Sequence, residues 1–220
     1  MSNLVLITSI IHTPNKPLSY TNTRSVFSRK ERFEQTKLTI QSIKKKIPNN
    51  KILLVECTDF TEEEKIYFEK ECDYVLNLWS KYELHEDIFG ISKALGEGTQ
   101  TIESFKYIKE NNICYANLFK ISGRYWFNDK FDYNIFNNNS LVFLNVNKIH
   151  ASTNVYKIPN TTQEVLCCFL INNNNAMKAC IGYEELFSHF LKSINYENTI
   201  TIRSIGISGF VTVNGSYYEA

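Results

Sequence analysis

The chain has 220 residues, of which 43% are hydrophobic and 21% are charged, as is usual for a globular protein. This composition excludes a disordered chain, a collagen-like repeat and a small disulfide scaffold. The formal net charge is only +1, from 24 basic and 23 acidic residues. Proteins that bind nucleic acid through its phosphates usually carry a clear basic excess, so the balance argues against a nucleic-acid partner but not against a local anion site.

Cysteine usage and hydropathy indicate the compartment. The six cysteines form no Cys-x-x-Cys pair, which favours reduced thiols over a zinc site or a disulfide framework. The apolar first eleven residues lack the basic start and small-residue cleavage site of a signal peptide. No apolar stretch reaches the roughly 18 residues of a membrane span. We therefore expect a cytoplasmic protein without a transmembrane segment.

In chain order, the first third alternates between continuous apolar runs and amphipathic segments. Ser28 with Glu31 has the pattern of a capping box, and Thr61 is a second helix cap. The order β-α-β-α-β predicts a parallel sheet with right-handed crossovers. The predicted elements are a strand at Leu4–Ile11, a helix from Ser28 to Pro48, a strand at Lys51–Cys57, a helix at Phe60–Cys72 and a strand at Asp73–Trp79.

The alternation weakens after about residue 140. We predict one α/β domain over residues 1–220, in which about 1–125 bind a nucleotide and about 126–220 shape a second substrate pocket. The later predicted elements are a helix at Gly98–Asn111, strands at Cys114–Ile121, Ser140–Val146 and Glu164–Ile171, a helix at Asn175–Ile194, and strands at Thr199–Ile202 and Phe210–Val213.

Ligands of open parallel sheets bind beyond the carboxyl ends of the strands, and one such segment stands out. It reads Lys120-Ile-Ser122-Gly123-Arg124-Tyr-Trp126. A glycine permits close approach to a ligand, and the planar guanidinium of Arg124 matches a diphosphate. The alternative is an ordinary strand-to-loop turn with a surface arginine.

Two further segments carry basic residues towards the same edge. In Ser92–Thr99, which includes Lys93, Gly96 and Glu97, two glycines precede a predicted helix and could direct backbone N–H groups at an anion. At the start of the first helix, Arg29 and Arg32 lie close enough to the first strand to reach a phosphate. The alternatives are a helix-capping loop and a solvated helix start.

Three carboxylates complete the candidate residues. Glu56, at the end of the second strand, could accept hydrogen bonds from a ribose or a base. Glu184 and Glu185 lie together on a late helix, where one of them could act as a general base. The alternatives are a capping or solvated carboxylate for Glu56 and solvated surface carboxylates for the pair.

The order of the elements and these residues resemble a nucleotide-sugar glycosyltransferase of the GT-A fold. More narrowly, Arg32-Phe-Glu-Gln-Thr36 and Lys-Ile-Ser-Gly-Arg-Tyr resemble short glycosyltransferase-like proteins of giant viruses and some bacteria. The resemblance implies that Arg32, Glu56 and the Lys93–Glu97 loop hold the donor. It also implies that the Glu184–Glu185 pair supplies the base.

One departure concerns the metal. The family's fourth strand ends in an Asp-x-Asp-like motif that binds Mn²⁺ or Mg²⁺, but no Asp-x-Asp occurs in this chain, and Lys120–Arg124 fills that register. Either Arg124 and Lys120 replace the metal charge in an active enzyme, or the protein has lost catalysis and only binds its ligand. The first is favoured, because basic residues preserve the electrostatic role, and we assign no metal ligand.

The resemblance therefore implies a glycosyltransferase in the cytoplasm of a bacterium or of a virus-infected cell. It would move a hexosyl or deoxyhexosyl group from a nucleoside-diphosphate sugar to a hydroxyl of a glycan or a small acceptor. A nucleotidyltransferase and a non-catalytic module that binds nucleotide sugars or glycans are the alternatives.

Overall fold

The computed structural model describes residues 2–145, 151–194 and 199–220. The helices are α1 (Arg29–Lys46), α2 (Glu62–Glu71), α3 (His85–Phe89), α4 (Lys93–Glu110), α5 (Asn160–Asn172), α6 (Asn174–Lys178) and α7 (Tyr183–Ser193). The strands are β1 (Asn3–Thr8), β2 (Asn50–Glu56), β3 (Tyr74–Asn77), β4 (Asn117–Ser122), β5 (Tyr125–Phe127), β6 (Leu141–Asn145), β7 (Ala151–Pro159), β8 (Thr199–Ile202), β9 (Ile207–Phe210) and β10 (Tyr217–Glu219).

The first third of the chain folds as its sequence pattern predicts. Strand β1 pairs in parallel with β2 on one side and with β4 on the other, and β2 pairs in parallel with β3. Both predicted helix starts are confirmed, because Ser28 with Glu31 and Thr61 with Glu64 form complete capping boxes. Local signals were sufficient here because each cap satisfies backbone N–H groups within its own first turn.

The described strands form a seven-stranded sheet in the order β3-β2-β1-β4-β7-β6-β8. Its pairings are parallel except for those of β7 with β4 and with β6, which are antiparallel. Alternate residues of β1 enter two separate hydrophobic clusters, with Leu4 and Leu6 on one face and Val5 and Ile7 on the other. Helices cover both faces, so the predicted mixed, mostly parallel α/β sheet is confirmed.

The predicted strand Glu164–Ile171 is wrong, because these residues lie in α5. Leu166 and Leu170 are buried one helical turn apart, whereas Val165 and Ile171 are about half exposed, at 50% and 49%. An apolar run of this length does not distinguish a strand from a helix. Packing of α5 against α4 decides between them.

The predicted helix Asn175–Ile194 is also wrong as one element. Helix α6 ends at Lys178 and α7 begins at Tyr183. Between them, Cys180 has a φ of 64°, and such a left-handed backbone cannot continue a right-handed helix. Gly182 then starts α7 from an extended conformation.

Strand β7 was missed, although it joins β4 to β6 at the centre of the sheet. Its sequence carries buried polar residues, among them Thr153 and Lys157, so neither an alternating pattern nor a continuous apolar run marks it. The predicted strand Phe210–Val213 is displaced, because β9 ends at Phe210 and pairs with β5 and β10 in a small second sheet. Val146, the predicted end of β6, lies outside the described residues.

Within the three described segments, no helix combines the length and the apolar character needed to cross a membrane.

Candidate functional site

A cavity of about 160 Å³ lies at the carboxyl ends of β1 and β4. Strands β2 and β3 lie on one side of β1, and β4, the next strand along the chain, lies on the other side. This is therefore the switch point of strand order, at which open α/β sheets bind ligands. The lining residues come from the ends of the two strands, the loop after β1, the start of α4 and a turn near the end of the chain. They include Ser9, Tyr20, Arg24, Arg32, Lys93, Gly96, Glu97, Gln100, Ser122, Gly123, Arg124 and Thr212.

Gly123 brings the end of β4 against β1 and α1. Its amide donates to the Thr8 carbonyl at 2.9 Å, and its carbonyl accepts from the Thr36 hydroxyl at 2.9 Å. A Cβ at this position would lie 2.8 Å from the Cβ of Ser9, closer than real Cβ atoms approach. The absence of a side chain therefore allows the turn that places Ser122 and Arg124 at the cavity.

Arg32 connects α1 to the loop that follows β1. Its buried guanidinium donates from Nε to the Ile10 carbonyl at 2.6 Å and lines the cavity. Burial, assisted by the positive charge of Arg124, lowers the pKa of Arg32 to about 10. Arg32 therefore positions the β1 loop and adds positive charge to the cavity wall.

Glu56 lies behind the cavity and is not among its lining residues. Its carboxylate is fully buried and accepts from the amides of Ile11 at 3.1 Å and Cys57 at 3.0 Å and from the Thr58 hydroxyl at 2.7 Å. Burial raises the pKa of Glu56 despite these hydrogen bonds. The direct contact with a ribose or base expected from the sequence is replaced by a role in holding the β1 loop.

Lys120 is fully buried on β4, and its charge is neutralised inside the protein. Its Nζ forms an ion pair with Glu97 and donates to Ser122 Oγ at 3.0 Å and to the Thr153 carbonyl at 2.7 Å. Burial would raise the pKa of Glu97, but the nearby charges of Lys120 and Lys93 bring it below its usual range. Lys120 therefore supports the floor of the site and has no free charge to offer a ligand.

Arg124 and Lys93 differ from Lys120, because neither forms an ion pair with a carboxylate of the described residues. Arg124 Nε is buried without any hydrogen-bond partner there. Burial and the charge of Arg124 lower the pKa of Lys93, as expected when two cations lie close together. A buried unpaired donor is costly, so Arg124 Nε, with the charge of Lys93 near it, makes this cavity a candidate site for an anion.

The structure brings Glu184, but not Glu185, towards this site. Glu184 lies in the first turn of α7 and accepts from the Thr153 hydroxyl at 3.3 Å, and its charge acts on Lys93 and Lys120. Consecutive helical residues point about 100° apart. Glu185 is not a lining residue, and Glu184 stands beside the cavity rather than in its wall.

Arg29 is not brought to the cavity. Its guanidinium binds the carboxylate of Glu64 and the Asp59 carbonyl instead, with Nε 2.7 Å from Glu64 Oε1. Arg24 lines the cavity in its place and donates from Nη2 to the Phe89 carbonyl at 3.0 Å. Sequence reasoning missed Arg24, although its membership of a set of only five arginines was a usable signal.

The expectation that two glycines precede the third predicted helix is wrong. Helix α4 begins at Lys93, because the Ser92 hydroxyl accepts from the Leu95 amide at 3.1 Å and caps it. Gly96 lines the cavity, but its amide already donates to the Ser92 carbonyl. A Cβ at Gly96 would lie 2.8 Å from the Ile88 carbonyl oxygen, so the glycine serves close packing of α4 against α3.

The residues at the end of β4 do not fit a divalent metal ion. Mn²⁺ and Mg²⁺ prefer carboxylate oxygens, whereas Arg124 projects a cation here and Glu97 is already paired with Lys120. In the described part of the chain, no group of three or more His, Cys, Asp or Glu side chains could hold a metal ion.

Comparison with known proteins shows the fold. No protein-family model and no curated protein sequence matches the chain significantly. Among solved structures, it resembles core-mannan synthase A (CmsA/Ktr4) from Aspergillus fumigatus in its Mn/GDP form, with a TM-score of 0.58 and 14% identity over 100% of this chain and 81% of that one.

Two bacterial proteins also resemble the chain in fold at low sequence identity. The glycosyltransferase GlyE of Streptococcus pneumoniae matches 92% of this chain at 10% identity and a TM-score of 0.53, although only 45% of GlyE is covered. CTP:phosphocholine cytidylyltransferase (LicC) from Streptococcus pneumoniae matches at 10% identity and a TM-score of 0.52, over 96% of this chain and 95% of that one. The chain therefore has the single-domain, GT-A-like, Rossmann-type fold that the sequence predicted, a fold found in glycosyltransferases and in a cytidylyltransferase.

Proposed function

We propose that the protein is a glycosyltransferase that moves a sugar from a nucleoside-diphosphate donor to a hydroxyl of a glycan or a small acceptor. The observation that carries this proposal is Arg124, whose Nε is buried at the switch point of the sheet and has no hydrogen-bond partner among the described residues. A diphosphate supplies the anionic oxygens that a guanidinium binds best.

The donor is held mainly from residues 1–125. Arg124 and Lys93 contact the diphosphate, and Arg32 adds positive charge from the cavity wall. Lys120 and Glu56 act from behind, because each is engaged within the protein, and Glu97 lines the cavity but is paired with Lys120. Residues 126–220 shape the acceptor side, and the proximity of α7 to the charges of the cavity supports this division.

Arg124 and Lys93 stabilise the leaving group. When the bond from the anomeric carbon to the diphosphate breaks, negative charge develops on the departing oxygens, and fixed cations stabilise it. The lack of fit for a divalent ion at the end of β4 supports such a metal-independent clamp. The transferred sugar is a hexosyl or deoxyhexosyl group, as the resemblance of the sequence implies.

Glu184 is the proposed general base. Its carboxylate takes the proton of the acceptor hydroxyl while the hydroxyl oxygen attacks the anomeric carbon and the diphosphate leaves, which inverts that centre. The Thr153 hydroxyl orients Glu184 by donating to Oε1. Glu185, the other candidate for this role, is not adopted.

A cytidylyltransferase is the second candidate, because the similarity to LicC extends over almost the whole length of both chains. Arg124 and Lys93 would then hold the triphosphate of a nucleotide, and the reaction would release pyrophosphate. The two candidates differ in substrate and product, so one experiment separates them.

The experiment is a thermal-shift screen with UDP, GDP, CDP, their sugars and CTP, each with Mn²⁺ or with EDTA, followed by mass spectrometry of products from a panel of acceptors. We expect stabilisation by one nucleoside diphosphate and its sugar in EDTA, followed by transfer of that sugar. Release of pyrophosphate from CTP would select the cytidylyltransferase. Binding of a nucleotide sugar without transfer would select a non-catalytic module, and loss of all binding in EDTA would contradict the Arg/Lys clamp.

A further inference from the structure

A second buried polar atom without a partner lines the same cavity as Arg124. It is the hydroxyl oxygen of Thr212, which has no hydrogen-bond partner in the described part of the chain. A buried hydroxyl without a hydrogen bond is costly and uncommon in folded proteins. Two such atoms in the wall of one cavity indicate that a ligand satisfies both.

The position of Thr212 relative to Arg124 is set by the backbone. Strand β9 pairs with β5 so that Gly209 lies opposite Tyr125, and a Cβ on Gly209 would lie 2.6 Å from the Arg124 carbonyl oxygen. The turn that follows β9 is closed by a hydrogen bond of 2.8 Å from the Val211 amide to the Ser216 carbonyl. The turn is therefore attached to the same backbone that carries Arg124.

Of the three residues of this turn that line the cavity, Thr212 has the polar side chain. Val211 and Val213 line the cavity on either side of Thr212 and are apolar. The Thr212 carbonyl already accepts from the Val26 amide at 2.9 Å. Arg124 and Lys93, which form no ion pair with the described residues, favour an anion in the cavity, and the hydroxyl can donate a strong charge-assisted hydrogen bond to an oxygen of that anion.

We infer that Thr212 is a further ligand-binding residue, whose Oγ1 donates to a phosphoryl oxygen of the diphosphate that Arg124 contacts. This inference rests on the proposed function, because it takes the diphosphate as the ligand. It adds the turn at residues 211–213 to the donor site. This turn lies in residues 126–220, the part of the chain that the sequence analysis assigned to the second substrate.

The first test measures binding of inorganic pyrophosphate, and of the nucleoside diphosphate selected by the screen, by titration calorimetry. Thr212→Val should weaken both about tenfold, because it removes one hydrogen bond to a charged group. Thr212→Ser, which keeps the hydroxyl, and Thr201→Val, which changes an exposed threonine on β8, should bind within about twofold of wild type. Equal binding by Thr212→Val and wild type would overturn the inference.

Thermal unfolding of the ligand-free protein distinguishes a ligand contact from a structural role. An unpartnered hydroxyl contributes no stability, so Thr212→Val should unfold at or above the wild-type temperature. A lower unfolding temperature would show that the hydroxyl has a partner inside the protein and would overturn the inference. The double variant with Arg124→Gln should lose less binding than the two single losses predict, because both residues contact one phosphate group.

The inference and the proposed function fail differently. If no nucleotide binds the wild type but pyrophosphate binds and weakens in Thr212→Val, the proposed function falls while Thr212 keeps its anion-binding role. If the wild type binds neither a nucleoside diphosphate nor pyrophosphate, Thr212 is not a phosphate-binding residue.

Discussion

Two regions of the molecule place an arginine near the end of a strand of the parallel sheet, and they use it differently. At the start of α1, Arg29 is paired with Glu64 beside the residues that follow β2. At the end of β4, Arg124 has no carboxylate partner among the described residues, and its Nε is buried. The first arginine fastens α1 to the N-terminal turn of α2, whereas the second keeps a buried donor that has no partner among the described residues. Position near a strand end therefore does not by itself make an arginine available to a ligand, because its charge can already be paired with a carboxylate of the protein.

The same contrast separates Lys120, paired with Glu97, from Lys93, which has no such partner among the described residues. Breaking the buried pair should have the largest effect. Lys120→Met leaves Glu97 buried without its main counter-charge, and we expect a loss of about 3–5 kcal/mol in the free energy of unfolding, measured by urea denaturation.

Two controls accompany this substitution. The double variant Lys120→Met with Glu97→Leu should recover most of the loss, because no isolated charge remains. Lys106→Met removes a half-exposed cation from Glu103, which keeps its second partner Lys81, and should cost less than about 1 kcal/mol. Wild-type stability of Lys120→Met would mean that Lys120 does not neutralise Glu97.

Substitution of the unpaired arginine should lower activity without lowering stability. Arg124→Gln should reduce kcat/KM about 10²–10³-fold, because one fixed donor to the developing charge is lost. Its free energy of unfolding should not fall, since Arg124 forms no ion pair with the residues that the structure describes. Steady-state kinetics and urea denaturation on the same preparation test both parts.

Arg29→Gln is the matched control and should lower stability without lowering activity. It leaves the Glu64 side chain, only 6% exposed, without its cation and should cost about 1 kcal/mol of stability while kcat/KM stays unchanged. Equal loss of activity in the two variants would remove the distinction between paired and unpaired arginines.

Lys157 can be compared with Lys120, because it is a buried cation that is held by neutral oxygens instead of a carboxylate. Its Nζ donates to the Asn138 carbonyl at 2.6 Å, to Asn138 Oδ1 at 3.0 Å and to the Ser140 carbonyl at 2.5 Å. Burial lowers the pKa of Lys157 to about 8, whereas the pKa of a lysine in an unfolded chain is about 10.4. Between these values the unfolded chain binds more protons, so this residue makes the native state more stable as the pH rises.

Lys157→Met should remove this contribution. We expect the wild type to gain stability relative to Lys157→Met as the pH rises from about 8 to about 10, with no relative change between pH 6 and 7. Urea denaturation at a series of pH values measures the difference. Parallel pH profiles of the two proteins would show that the Lys157 pKa is the same in both states.

The sequence predicted those parts of the fold and site whose signals are local. The capping boxes at Ser28 and Thr61 and the strands of the first third depend on neighbouring residues. The same local view failed at Glu164–Ile171, where an apolar run fits a strand as well as a helix, and at β7, whose buried polar residues are satisfied by distant elements. Such positions are decided by packing, which overrides propensity.

The amino-acid sequence by itself determined a mostly parallel α/β sheet and the strand ends at which a ligand site forms, because hydrophobic periodicity and helix caps operate over a few residues. It also placed Arg124, Lys93 and Arg32 near one edge. Only the tertiary structure decided that Arg29 and Lys120 are neutralised and that Arg24 and Thr212 join the cavity. It also decided that Arg124 Nε finds no hydrogen-bond partner in the described part of the chain. The reason is physical. The partner of a buried polar group comes from another element of the fold, and residue spacing along the chain does not reveal whether such a partner is present.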